Sequence, residues 1–192
     1  KMDELLSDGN KIILLNIARQ AIEQATQNKL IEALDLSVYS KNLVENVASF
    51  VTLHRKETGE LRGCIGTLEA YQPLVQDVQY HAVAAALEDY RFPPVTFQEV
   101  NGLTIEISRL TAPHKVKYNN PLDLPNQLRS GVDGVIIRDG FHKATFLPQV
   151  WGQLPDPEDF LAHLCRKMGS SQDLWKKKLL EVSIYQVEEF HE

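Results

Sequence analysis

The chain has 192 residues, 43% of them apolar and 24% charged, with 20 Lys or Arg against 26 Asp or Glu for a formal net charge of −6. That mix is the ordinary globular one and excludes a disordered or low-complexity chain. A chain of this length buries about 70% of its unfolded surface and needs neither disulfide nor metal to fold. A net negative surface repels phosphate backbones, so general nucleic-acid binding is not expected. Cys64 and Cys165 stand far apart with no C-x-x-C pair, which fits a reducing compartment. Lys1-Met2-Asp3-Glu4 opens without the apolar run of a secretory leader. No apolar stretch approaches the ~18 residues of a membrane span. A single domain over residues 1–192, without membrane contact and located in the cytoplasm, is the expectation; oligomeric state stays open.

Ser7 or Asp8 can cap a helix to about Asn28, with Ile13, Leu14, Ile17, Ala18, Ala21, Ile22 and Ala25 on its apolar face. Residues 30–43 read as loop and short helix. Val47, Ser49, Val51 and Leu53 alternate along a strand to His54; Glu57-Thr58-Gly59-Glu60 is a turn by composition, and residues 61–67 return as a second strand, giving a hairpin. Pro73 opens a helix to about Tyr90 whose small residues invite close approach by another element. Phe92-Pro93-Pro94 breaks the chain, Thr96 with Glu99 forms a capping box, and Leu103, Ile105 and Ile107 mark a half-buried strand to Arg109. Residues 122–129 predict a short helix closed by Gly131. Asp139-Gly140 sits between two strand-like runs, 135–138 and 141–147, as a hairpin turn. Asp156 and Pro157 open a helix that Gly169 closes, and a final strand spans 180–187. Hairpins and the lack of regular βαβ alternation predict an α+β fold with a mostly antiparallel sheet and packed helices.

The least ordinary segment is Leu61-Arg62-Gly63-Cys64-Ile65-Gly66. Glycines inside a strand mark a bulge or a close approach. Alternation puts Arg62 and Cys64 on one face, where a guanidinium favours the nucleophilic thiolate. The other reading is an inert, packed cysteine. His54, at the end of the neighbouring strand, either reaches that face or is simply an exposed strand end. His163 and Cys165 lie two apart in a helix and diverge, and Cys165 shares a face with Leu161 and Met168, which reads as core. None of the six histidines has metal-ligand spacing, so no metal site is expected. Residues 141–151 form a second odd stretch, leaving a strand through Pro148. There Gln149 and Trp151 either make a recognition surface or Trp151 belongs to the core. Arg91 with Phe92-Pro93-Pro94 is a rigid corner or the rim of a cleft. No P-loop, G-x-G-x-x-G or G-x-S-x-G is present.

Order and spacing of several segments resemble one family. These are Phe50-Val51-Thr52-Leu53 with residues 61–68; Tyr90-Arg91-Phe92-Pro93-Pro94 with residues 103–108; residues 131–137; residues 144–151; and Phe160-Leu161, His163-Leu164-Cys165 and Trp175. Together they resemble the AMME syndrome candidate gene 1 protein family across nearly the whole chain. The chain differs from the usual pattern at Tyr90, where Pro is frequent, and at Phe141-His142-Lys143, where more basic residues are usual. The resemblance implies a larger and a smaller lobe with a cleft between them. It also implies association with a Memo-like protein and a radical S-adenosylmethionine protein, in the role called AmmeMemoRadiSam system protein A. It names no substrate and no cofactor. Two functions are expected to compete. One is a binding or adaptor module using Gly63, Gly66, His54, Arg91, Gln149 and Trp151 around one concave surface. The other is a cysteine-dependent enzyme acting through Cys64 with Arg62. The first is favoured because no general base is identifiable beside Cys64.

Overall fold

A computed structural model describes residues 5–192, so the Lys1-Met2-Asp3-Glu4 segment and the expectation placed on it lie outside the described residues. In chain order the elements are α1 (Asp8–Thr26), α2 (Lys41–Val44), β1 (Ser49–Arg55), β2 (Leu61–Gly66), α3 (Leu74–Leu87), β3 (Leu103–Leu110), β4 (His114–Lys115), β5 (Gly134–Asp139), β6 (His142–Phe146), α4 (Pro157–Lys167), α5 (Leu174–Lys177), β7 (Glu181–Tyr185) and β8 (Val187–His191). Short 3-10 helices fill 36–38, 97–102, 121–127 and 148–152. Helices with two largely antiparallel sheets make this an α+β protein. The chain divides into two compact units: residues up to Leu110 with Glu188–Glu192, and Thr111–Val187.

The first unit is a four-stranded sheet in the order β2-β1-β3-β8. The Ser7 hydroxyl accepts the Asn10 N–H at 3.1 Å and starts α1. Leu14, Ala18 and Ile22 of α1 and Leu74, Val78, Ala82 and Ala85 of α3 bury against Val51, Leu53, Ile105 and Ile107 of the sheet. β1 and β3 bury alternate residues, as the sequence pattern requires. Their other face, with Thr52, His54, Thr104, Glu106 and Ser108, stays partly exposed. α3 stops at Leu87, short of the expected Tyr90. The Ala86 carbonyl accepts the Val95 N–H at 2.8 Å, so the chain folds back across the helix end. The Glu99 carboxylate accepts the Thr96 N–H at 2.8 Å, as the capping box predicts.

The second unit carries the sheet β4-β7-β5-β6. Its core gathers Leu124, Val135, Ile137, Trp151, Phe160, Leu164, Cys165 and Trp175. Asp156 caps α4, and Gly169 closes it at φ +87°. The segment expected as a helix at 122–129 is instead a 3-10 helix over Pro121–Gln127. Pro125 inside it has no N–H for an α-helical ladder. The predicted hairpin forms, but Asp139 pairs with His142, so its loop is Gly140–Phe141. Gly140 has φ +61° and Phe141 does not have positive φ, the pattern of a II′ turn. The expected final strand at 180–187 is two strands. β7 joins the second sheet and β8 the first, and Gln186 divides them. Its N–H donates to the Thr111 hydroxyl at 2.8 Å and its side-chain amide to Asp133 at 2.9 Å.

Candidate functional site

Arg62 does not serve Cys64. Its side chain is 3% exposed, and its Nε and Nη2 donate to the two oxygens of Glu99, each at 3.3 Å. The hairpin register slips between Leu53 and His54, so Leu61 rather than Arg62 faces His54 and simple alternation fails at this point. Burial raises the Glu99 pKa, but the Thr96 N–H and the Arg62 guanidinium outweigh it and hold the carboxyl below its ordinary value. The flanking glycines do not open the strand to a ligand either. A Cβ on Gly63 would stand 2.1 Å from the Ala85 carbonyl oxygen, and one on Gly66 would stand 2.3 Å from the Phe50 ring. Protein atoms occupy both places, so Gly63 and Gly66 are packing glycines and not binding residues.

Cys64 itself is half-buried on the partly exposed face of the first sheet. Across β1 it pairs with Thr52, whose hydroxyl donates to its sulfur at 3.2 Å. Its amide donates at 2.9 Å to Asp89, a side chain only 3% exposed. The same carboxylate accepts Nε and Nη2 of Arg91 at 3.0 and 2.8 Å, and the Arg91 N–H at 3.2 Å. The Arg91 guanidinium holds the Asp89 carboxyl well below the usual carboxylate range. Arg91 is 46% exposed and within electrostatic reach of Cys64. His54 is on the same face as Thr52, but among the described residues no imidazole hydrogen-bonds to the Cys64 sulfur. The structure therefore joins Cys64 to Arg91 through Asp89 and sets Thr52 against the Cys64 sulfur, and the sequence reading singled out neither Asp89 nor Thr52. Asp89 was signalled only by its place two residues before Arg91, in the spacing of an Asx turn.

Trp151 is 2% exposed. Its Nε1 donates to the Asp133 carbonyl at 2.7 Å, and its ring stacks on Phe160 at 3.7 Å with planes 7° apart. It is core, and no recognition surface includes it. Gln149 is exposed on the 3-10 helix 148–152. Both residues belong to the second unit, whereas Arg62, Cys64, His54 and Arg91 belong to the first. Cys165 is fully buried, and burial pushes its thiol up, only partly offset by the Trp175 amide.

A family model for AMMECR1 matches residues 15–190, which spans both units. The chain belongs to the AMMECR1 family. A protein of Methanocaldococcus jannaschii is 37% identical over 180 residues, covering 91% of this chain and 86% of that protein. One of Thermofilum pendens is 37% identical over 201 residues, covering 97% and 92%. The crystal structure of an uncharacterized protein from Pyrococcus horikoshii matches with a TM-score of 0.78 at 34% identity, covering 97% of this chain and 93% of that one. The family assigns the fold; chemistry has to be argued from the residues.

One further polar cluster has the residue types of a hydrolase and a different geometry. Ser49, Asp77 and His81 are 0%, 0% and 3% exposed. Ser49 donates to Asp77 Oδ2 at 2.5 Å, His81 Nδ1 is 3.1 Å from the same oxygen, and Gln72 donates to Oδ1 at 2.9 Å. The serine hydroxyl lies much closer to the carboxylate than to the imidazole, whose Nδ1 is 3.4 Å away, and it is sealed from solvent. A nucleophile needs the reverse on both counts. The cluster is a satisfied polar lock between β1 and α3. The Asp77–His81 spacing of four residues on a helix was its signal in the sequence. No helix among the described residues is long and apolar enough to cross a membrane.

Proposed function

We propose that the chain is a binding or adaptor component and that the partly exposed face of its first sheet, around Cys64 and Arg91, is what it presents to a partner. The supporting observation is the Asp89 lock. A buried carboxylate ties a half-exposed guanidinium to the Cys64 amide before any partner arrives. Fixing a donor in advance lowers the ordering cost of binding, and arginine is a frequent interface anchor. His54, Thr52 and Glu106 add polar groups on the same face. The family resemblance supplies the proposed partners, a Memo-like protein and a radical S-adenosylmethionine protein, acting together in the cytoplasm. Calorimetric titration of the purified chain with each of the two tests this. Binding to at least one is expected, weakened about tenfold or more by Arg91→Glu. No binding to either would sink the adaptor reading.

A second reading, a cysteine-dependent enzyme acting through Cys64, draws on the Thr52 hydroxyl at its sulfur and on the nearness of Arg91. It requires Cys64 to be alkylated by iodoacetamide in the native chain while Cys165 stays protected. Reaction of Cys64 only after denaturation removes this reading and leaves the adaptor intact.

A further inference from the structure

We propose that the groove running along α3 past Ile31 receives a lysine side chain from an extended segment of a partner protein. This rests on the adaptor reading and gives it a second surface, on the outer side of α3. The groove has a volume of about 440 Å³. Ile31, Val83, Ala84 and the Tyr80 ring make its apolar wall.

Its polar groups are arranged to accept. The Gln72 amide nitrogen donates to Asp77 Oδ1 and the Gln79 amide nitrogen to the Glu32 carbonyl, each at 2.9 Å. Both partners are acceptor oxygens, so each glutamine has to place its nitrogen there. Their own side-chain oxygens are left without a donor among the described residues. At the far end, Glu88 caps α3 and forms no ion pair among the described residues. The last turn of α3 holds no basic residue, so the carbonyl end of the helix adds partial negative charge beside that carboxylate. Residues 30–40 and 63–90 supply every lining residue and contain no Lys or Arg. Lys29 and Arg91, just outside those stretches, do not line the groove, and Arg91 is held by Asp89.

The groove thus offers acceptors, one carboxylate and an apolar wall, with no cation of its own. An ammonium group on an aliphatic stem complements all three. The head donates in three directions and needs no donor in return. The stem lies on apolar surface while the head stays polar, and the Tyr80 ring adds a cation–π contact. Arginine fits less well, because its planar fork suits two oxygens of one carboxylate, and the acceptors here are spread from Gln72 to Glu88. Tyr80 is 57% exposed and Glu88 is exposed, so the groove is open along its length. Small-molecule sites enclose most of their ligand, whereas an extended segment gains further contacts along an open groove.

The test follows amide chemical shifts of the full, isotope-labelled chain as a capped Ala-Lys-Ala-Lys-Ala peptide is added. Shifts are expected on α3 and residues 31–35, including the Gln72 and Gln79 side chains. The same peptide with both lysines acetylated keeps the stems, loses the charge and should leave them in place. Glu88→Lys should weaken the peptide about tenfold. Asp123→Lys makes the same change of charge at an exposed residue of the second unit and should not weaken it. Equal weakening by both variants, or equal binding of the acetylated peptide, would overturn the lysine site. Spermidine shifting these amides where the peptide does not would make it a site for a free amine and overturn the partner segment. Glu88→Lys should also weaken binding of the Memo-like or the radical S-adenosylmethionine protein; unchanged affinity for both overturns the proposal. If the wild type binds one of these proteins and the peptide does not bind, the groove is wrong and the adaptor reading stands. If the wild type binds neither protein, the adaptor reading falls and the partner segment falls with it.

Discussion

Arg62 is 3% exposed and directs two of its nitrogens to Glu99, while Nη1 has no hydrogen-bond partner among the described residues. Removing one member of a buried ion pair costs about 3–5 kcal/mol, but Glu99 keeps 28% exposure and rehydrates in part. Arg62→Ala should therefore lose about 2 kcal/mol in urea unfolding. It should not change the rate at which Cys64 is alkylated in the folded protein, since the guanidinium serves another residue. Asp89 makes the complementary case. Its carboxyl is depressed mainly by Arg91, so its ionised form stabilises the fold at neutral pH. That contribution is lost as pH falls below the ordinary Asp value of about 3.9 toward the lower folded value. Thermal midpoints measured from pH 5 down to pH 2 should fall less steeply in Asp89→Asn than in the wild type. An equal slope would mean that the Arg91 clamp does not act in solution. The sequence could show that Arg62, Cys64 and Arg91 were unusual, but not which partner each would take. Glu99 lies 37 residues from Arg62, and Asp89 lies 25 from Cys64. Alternation assigns a face only while the register holds, and here it slips. Cys165 was legible because Leu161 and Met168 shared its helical face and all three are buried.

At the level of elements, glycines set how closely strands and helices approach. Gly63 lets α3 lie against β2, with the Ala85 carbonyl where a Cβ would be. The small residues of α3 gave notice of some close approach, though not of β2 as the element making it. Gly66 lies under Phe50 and Gly134 under Tyr185, so each sheet uses a cross-strand aromatic to cover a glycine. Gly63→Ala forces a methyl group against the backbone carbonyl of Ala85 and should cost about 3 kcal/mol, the upper range of overpacking. Gly140→Ala meets no atom within 4 Å and pays only for its positive φ, about 1 kcal/mol. Urea unfolding of the two variants, read side by side, separates close packing from backbone strain; equal losses would contradict the assignment. The hairpins were legible because strand periodicity and turn residues are local. The II′ loop fell one residue later than the dipeptide indicated, since pairing of Asp139 with His142 decides which residues are left to turn. The end of α3 was set by a bond from Val95, and no local pattern reports that.

For the whole molecule, the decisive feature is that the second unit interrupts the first. The chain leaves the first sheet after β3, builds residues 111–187, and returns as β8 to complete that sheet's edge. The periodicity of residues 180–187 reads as one strand because alternation is the same in either sheet. Nothing local says that the chain changes sheets at Gln186. The returning strand brings more than backbone pairing. Glu188 faces buried Arg109 at 3.0 Å and is 3.3 Å from Lys11. Glu192 accepts from Arg19 at 2.6 and 2.7 Å and from the Ile105 N–H at 3.0 Å, which ties α1 to β3. Burial raises the Glu192 pKa, but the Arg19 and Ile105 bonds outweigh it, so the carboxyl is held below its ordinary value and its bonds persist at neutral pH. Deleting residues 188–192 strips these carboxylates from Arg109 and Arg19 and leaves an open edge on β3. The loss should reach about 3–5 kcal/mol, since a charge as buried as Arg109 is costly to leave without its carboxylate. It should also fall on one unit. In hydrogen exchange of the deletion chain, amides of α1, β1 and β3 should lose protection, while those of β5, β7 and α4 keep it. Uniform loss across all six elements would show that the two units unfold as one, and that the C-terminal strand does not stabilise the first unit selectively.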